Sequence, residues 1–122
     1  MRKIKVLLAS RPKLLSEVIR KMVERQPDME VAGEVLDPFE LLATAKTTPV
    51  EVVIVTPLEA NGEPHICSQL LAKHPRLKIV ALSAKGEAAF LYESGSRKKR
   101  IDEPGEQSIL GAIREAMRSN AV

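Results

Sequence analysis

The sequence predicts a three-layer α/β domain, in which a parallel sheet of five strands carries helices on both faces. Apolar runs of strand length alternate five times with segments of helical spacing. The central run, residues 52–55, is β-branched throughout and has no polar alternation, which is typical of a parallel strand buried on both faces. The connections are short, and short strand–helix–strand connections produce right-handed crossovers and parallel neighbours.

The first half of the chain is predicted to contain three strands and two helices. Residues 4–9 form an apolar strand, and Pro12 is suited to the first turn of the helix that follows. That helix ends before Pro27, and its apolar positions recur at helical spacing: Leu14, Leu15, Val18, Ile19, Met22 and Val23. Residues 29–32 form a second strand, which Gly33 closes.

A capping box marks the start of the second helix. Asp37 occupies the N-cap position and Glu40 follows three residues later, so each side chain can satisfy a backbone N–H group of the first turn. This helix ends before Pro49, and the central strand follows it.

The second half of the chain is predicted to contain three helices and two strands. Residues 77–82 form the fourth strand, after a third helix that ends at Pro75. Residues 87–93 are predicted as a short fourth helix, and residues 96–101 as a charge-rich fifth strand. A Pro-Gly turn precedes the last helix, whose apolar positions are Ile109, Leu110, Ile113 and Met117.

Composition favours one domain, residues 1–122, and excludes several functional classes. There are three aromatic residues, which is a poor basis for stacking nucleic-acid bases. A single cysteine and two histidines favour neither a disulfide nor a zinc site, and we predict no metal and no cofactor. No segment has transmembrane length or the pattern of a signal peptide, so we predict a cytoplasmic protein that does not bind membranes.

Several segments resemble the receiver domain of two-component response regulators, especially the receivers that precede a helix-turn-helix output domain. They are IKVLLA at 4–9, LLSEVIRKMVE at 14–24, PDMEVAGEV at 27–35, VEVVIV at 50–55 and HPRLKIVALSA at 74–84. The resemblance implies the flavodoxin-like strand order 2-1-3-4-5, with the reaction site at the carboxyl ends of strands 1 and 3.

Most of the reactive positions that the resemblance implies are occupied by unreactive residues. Receivers have two adjacent acids after strand 1, a phosphoacceptor aspartate after strand 3, Ser or Thr after strand 4 and lysine after strand 5. In this chain those positions are Ser10, Arg11, Thr56, Ser83 and Asp102, and only Ser83 fits.

These substitutions argue against phosphorylation. Mg²⁺ requires oxygen ligands and usually a carboxylate, whereas Ser10 and Thr56 have neutral hydroxyls and Arg11 brings a positive charge. We therefore predict a pseudo-receiver without catalytic or metal-binding residues. Two interpretations of Arg11 are open: a built-in cation that replaces the metal, or a side chain that points into solvent. A third, weaker possibility is a site that binds a small anion at Arg11.

A run of four cations is the most unusual feature of the sequence: Arg97, Lys98, Lys99 and Arg100. It is a candidate docking surface for an acidic protein or nucleic acid. The alternative is an edge strand that its charges protect from aggregation. By the resemblance, Lys99 occupies the position of an aromatic switch residue. Any cation on the helix-covered face should pair with a nearby acid, for which the candidates are Glu93, Asp102, Glu103 and Glu106.

The preferred function is a non-enzymatic signalling module of two-component or phosphorelay type that acts by protein contact, independently of aspartyl phosphorylation. Its partner would be another signalling protein or a second copy, bound through the fourth helix, fifth strand and fifth helix that the family uses for dimerisation. The alternative is a nucleic-acid-associated transcription regulator, or the receiver half of one, that uses the basic run at 97–100.

Overall fold

A computed structural model describes residues 3–9, 13–35, 38–48, 50–55, 65–82, 89–93, 99–101 and 105–119. These residues form six strands and four helices. In chain order the elements are β1 (Ile4–Ala9), α1 (Lys13–Glu24), β2 (Met29–Glu34), α2 (Pro38–Thr47), β3 (Val52–Val55), α3 (His65–Lys73), β4 (Lys78–Leu82), β5 (Ala89–Glu93), β6 (Lys99–Arg100) and α4 (Glu106–Ser119).

The six strands form one sheet in the order β2-β1-β3-β4-β5-β6. The strands from β2 to β4 are parallel, which confirms the predicted order 2-1-3-4 and the flavodoxin-like α/β class. Every residue of β3 is buried, as its apolar sequence predicts for a strand covered on both faces.

The segment predicted as a fourth helix is a strand, and that prediction is wrong. β5 pairs antiparallel with β4, from Lys78 opposite Glu93 to Leu82 opposite Ala89. The sheet is therefore mixed and not wholly parallel. Alternation explains the strand: Ala89 and Leu91 pack into the core on one face of the sheet, whereas Tyr92 packs into the core on the other. Both sides of the segment are needed for burial, which a short surface helix would not achieve.

Of the predicted fifth strand, residues 96–101, the described part contains the short β6, whose neighbour is β5 instead of β4. β6 pairs antiparallel with β5, with Leu91 opposite Lys99 and Phe90 opposite Arg100. Because β4–β5 and β5–β6 are both antiparallel pairs, β6 runs in the same direction as β4. Because neighbouring strands are about 4.8 Å apart, β5 moves β6 outward by that distance from the place that a fifth parallel strand would take.

Helices cover both faces of the sheet, as predicted for three layers. On one face, α1 and α4 enclose a core with β1, β3 and β4, in which Val23, Leu110 and Ile113 have no exposed surface. On the other face the core includes Ala45 of α2 and Leu70 of α3. The sheet thus holds two separate aliphatic cores apart.

Two arginine–carboxylate contacts hold α4 against the turn between α1 and β2. Arg114 donates from Nε to Asp28 Oδ2 at 2.9 Å and from Nη2 to Oδ1 at 3.0 Å, and Nη2 also donates to Gln26 Oε1 at 2.7 Å. In a second pair the cation is in the turn and the acid is in the helix: Arg25 pairs with Glu106 of α4. The hydrogen bonds from Arg114 hold the pKa of Asp28 below its ordinary value of 3.8, against the opposing effect of burial.

The Asp28–Arg114 contact should contribute to stability in a pH-dependent way. A carboxyl whose pKa is lower in the folded chain stabilises it above the unfolded value, and this contribution disappears as the pH falls through the folded value. The two side chains are 35% and 32% exposed, so screening limits the gain. We expect Asp28→Asn to lower the stability at pH 7 by about 1 kcal/mol, or the melting temperature by about 4 °C.

Thermal unfolding from pH 7 to pH 2 would check this expectation. The difference between wild type and Asp28→Asn should shrink below about pH 4, where the unfolded wild-type carboxyl becomes protonated. Glu30→Gln, at an exposed position of β2, is the matched control. A difference that stayed constant down to pH 2 would contradict the assigned role of Asp28.

A buried ion pair joins β4 to β5. Lys78 Nζ lies 3.7 Å from a carboxylate oxygen of Glu93, and their side chains are only 7% and 16% exposed. The two residues are direct partners across the antiparallel pair, so a slip by one residue would move one of them to the opposite face. The pair therefore favours the observed register of β5.

Removing one member of this pair should be costly, and removing both should not be. We expect Lys78→Met to destabilise the domain by about 3 kcal/mol, because Glu93 would keep a poorly solvated charge. The double variant Lys78→Met/Glu93→Leu should lie within about 1 kcal/mol of wild type. Denaturant unfolding measures both, with the exposed Lys21→Met as control. Additive losses in the double variant would contradict the pairing.

Candidate functional site

The predicted reaction site lies at the carboxyl edge of the sheet, between β1 and β3. The strand order reverses there, since β2 lies on one side of β1 and β3 on the other, and such switch points are where open α/β sheets bind ligands. Ala9 and Val55 are direct partners at the ends of these strands. The predicted site residues themselves lie outside the described residues: Ser10, Arg11, Thr56, Ser83 and Asp102.

The inserted β5 changes the geometry that this site would need. In the predicted order a residue after the fifth strand would lie two strands from β3, or about 10 Å. In the observed order β6 lies three strands from β3, or about 14 Å. Position 102 follows β6 closely in sequence. Its correspondence to the receiver lysine assumed that the preceding strand is the neighbour of β4, and β6 is not.

The described residues contain neither a metal-binding cluster nor a membrane-spanning helix. Across the parts of the chain that the structure describes, no three side chains of His, Cys, Asp or Glu are placed to hold a metal ion. Within the same residues, no helix has the length and apolar character needed to cross a membrane.

Half of the candidate docking surface is described. Lys99 and Arg100 form β6 at the edge of the sheet and both are exposed, whereas Arg97 and Lys98 lie outside the described residues. Of the acids predicted to pair with the run, Glu93 pairs with Lys78 and Glu106 with Arg25 instead. Asp102 and Glu103 lie outside the described residues.

A groove of about 460 Å³ lies between the β5–β6 edge and α4. We call it the edge groove. Its apolar lining includes Leu91, Ile101 and Ala116, and both Lys99 and Arg100 line it from β6. Gly111 lines it from α4. The predicted interaction surface of a fourth helix, fifth strand and fifth helix is therefore wrong in its first element, because β5 stands where that helix was expected.

The edge groove was not predicted from the sequence, although the sequence contains one signal of it. Glycine inside a helix is unfavourable relative to alanine, and Gly111 lies in the interior of the last helix. A conformational or packing reason is expected at such a position.

A second cavity, of about 670 Å³, lies at the amino edge of the sheet. Its rim includes the basic side chains of Lys3, Lys73 and Arg76. The helices run opposite to the parallel strands, so their C-terminal ends, which carry partial negative charge, lie at this edge. Cations near helix C-termini are stabilising for that reason alone, and the same dipoles disfavour a bound anion.

The strand order and the helices on both faces define the class: this is the α/β fold of response-regulator receiver domains, with one additional strand. The receiver domain of the stress response regulator RcsB from Escherichia coli, in its non-phosphorylated form, superposes with a TM-score of 0.56 and 19% identity. That match covers 93% of this chain and 77% of the other.

Two further comparisons agree with this fold. A structure of the Salmonella typhimurium RcsB response regulator, described for its conformational dynamism in DNA interaction, has a TM-score of 0.56 and 24% identity. It covers 68% of this chain and 44% of that one. In sequence, the uncharacterized transcriptional regulatory protein YxjL of Bacillus subtilis (strain 168) is 27% identical over 124 residues.

The resemblance to response-regulator receivers is thereby confirmed. The alignment with YxjL includes 98% of this chain but only 57% of the relative, so the chain spans little more than half of the relative's length. No family model matches the chain.

Proposed function

We propose that the chain is a non-enzymatic, receiver-like signalling module of two-component type, which acts through protein contacts independently of aspartyl phosphorylation. The observation that carries the proposal is the insertion of β5 between β4 and β6. In this proposal residues 1–122 form one domain in the cytoplasm, and no metal or cofactor takes part.

Sequence and topology support the proposal independently of each other. Thr56 stands at the phosphoacceptor position, and its hydroxyl cannot form the acyl phosphate that a carboxylate forms. Arg11 adds a positive charge where the resemblance puts the metal, and like charges a few Å apart cost several kcal/mol at an effective dielectric constant of about 20. The resemblance implies that position 102 follows a strand next to β4, whereas β6, which precedes this position in sequence, lies one strand further from β3. Each departure alone would impair phosphoryl transfer.

The domain should not respond to phosphodonors. Incubation with acetyl phosphate or beryllofluoride in the presence of Mg²⁺ should leave its mass and its amide NMR shifts unchanged, because Ser10, Arg11 and Thr56 cannot assemble the metal and a nucleophile. The positive control is a receiver domain that has all of its acids. Localised shifts of the amides at the ends of β1, β3 and β4 would overturn the proposal.

Restoring the acids should not restore phosphorylation. Thr56→Asp alone would lack the metal ligands and keep Arg11. The fourfold variant Ser10→Asp/Arg11→Asp/Thr56→Asp/Asp102→Lys should also stay unlabelled by acetyl phosphate, because the new lysine follows β6, which lies about 5 Å too far out. Mass spectrometry checks both variants, and circular dichroism confirms that they fold. Labelling of the fourfold variant alone would show that the side chains and not the strand order are decisive.

A second candidate function is the receiver half of a transcription regulator. It is favoured by the similarity to a transcriptional regulatory protein of which the alignment covers only 57%, and by the exposed cations of β6. Expression of the gene's full reading frame, followed by DNA binding with and without residues 1–122, separates the two. Binding that requires only the added residues, with the module changing its affinity, would support the receiver-half interpretation.

A further inference from the structure

No close packing contact within the domain requires a glycine at position 111. Gly111 is exposed in the interior of α4, and a Cβ atom at this position would meet nothing within 4 Å. Gly33 is different, because its Cβ would lie 3.2 Å from Leu7 Cδ1. Alanine would strengthen α4 at position 111 at no steric cost, so the helix carries a weakness that its own packing does not explain.

The missing side chain keeps the edge groove open. Gly111 lines it from α4, and Leu91 and Ile101 line it from the sheet side. Leu91 and Ile101 are only 6% and 8% exposed, so they form a firm apolar floor and not a loose surface patch. The groove can therefore take an apolar side chain that approaches from the edge of the sheet.

Two cations, Lys99 and Arg100, and two carboxylates, Glu93 and Glu115, line the groove. Leu91 and Lys99 are direct partners across β5 and β6 and so share the face that α4 covers, whereas Arg100 shares the opposite face with Phe90. The carboxylate of Glu93, which also lines the groove, is already paired with Lys78. Within the described residues, Lys99 forms no ion pair. An acidic occupant would supply the missing partner.

Two other occupants fit less well. If two copies met edge to edge at β6, Lys99 and Arg100 would face the same cations, and like charges opposite one another are destabilising. Nucleic acid would need several phosphate contacts and stacking surfaces. Tyr92 and Phe90 of β5 pack on the other face of the sheet, and none of the described residues that line the groove is aromatic.

We propose that the edge groove binds an extended acidic segment of a partner protein. The segment lies along β6, the outermost of the described strands, as in recognition by strand addition. One of its carboxylates pairs with Lys99, and an apolar side chain on the same face enters the groove beside Gly111. This rests on the proposed function and specifies the chemistry of the partner.

Peptide display tests the proposal. A random peptide library is selected on the wild-type domain, and the affinity of the selected peptides is then measured by calorimetry. We expect peptides in which acidic and apolar residues alternate. Lys99→Glu should weaken their binding about tenfold or more, whereas Lys21→Glu, the same charge change at an exposed position of α1 that does not line the groove, should weaken it much less. Selected peptides without acidic residues would overturn the proposal, and so would equal losses in the two variants.

Gly111 provides a second, independent arm. Gly111→Ala should raise the melting temperature, because it strengthens α4. Gly111→Leu should fill the groove and weaken peptide binding about tenfold or more while the domain stays folded. Peptide binding that survives Gly111→Leu would show that the groove is not the site.

Competing occupants and the proposed function are tested separately. Binding of a short DNA duplex that Lys99→Glu abolishes would replace the acidic segment by nucleic acid, and a concentration-dependent dimer that Lys99→Glu dissolves would replace it by a second copy. Either result overturns the inference. The proposed function fails in a different assay, when beryllofluoride changes the amide shifts of the domain, so the two failures cannot be confused.

Discussion

The antiparallel pairing of β5 with β4 determines most of what distinguishes this domain. Once Lys78 faces Glu93 in the core, β5 is fixed in register and in direction, and β6 has to take the place outside it. Both side chains of the ion pair are largely buried, and removing one partner from such a pair is far more costly than removing both. The pair therefore contributes little net stability, but it disfavours every register of β5 that would separate the two charges.

The parallel part of the sheet could be predicted from the sequence, but the antiparallel pairs β4–β5 and β5–β6 could not. β1, β3 and β4 are mainly apolar runs of strand length, and their strand character is a local property. The segment at 87–93 has an apolar run that is compatible with a buried helix or with a strand buried on both faces. The antiparallel pairing with β4, including Lys78 opposite Glu93, favours the strand, and local periodicity contains no information about a partner in another strand. The same limit applies to Glu93 and Glu106, whose cationic partners come from distant parts of the chain.

The sequence predicts the loss of the reaction site better than it predicts the edge groove. The loss of the reactive groups could be read from the residue types alone, because chemistry at Thr56 or Arg11 depends on what those side chains are. The basic run was visible too, but the sequence does not show which cation shares a face with the groove. That follows from the pairing of Leu91 with Lys99, which exists only because β5 is a strand.

The two ion-pair contacts also explain how the edge groove could be ready for a ligand. Lys78 and Glu93 fix β5, which supplies the floor, whereas Asp28 holds Arg114 and thereby α4, which supplies the wall that contains Gly111. The two contacts share no residue, so the walls are positioned independently. A groove whose walls are held in place loses little conformational entropy on binding, which favours affinity for a given contact area. Placing glycine at 111 sacrifices some helix stability for an open wall, and this is the kind of local conflict that is expected at binding sites and not elsewhere in a fold.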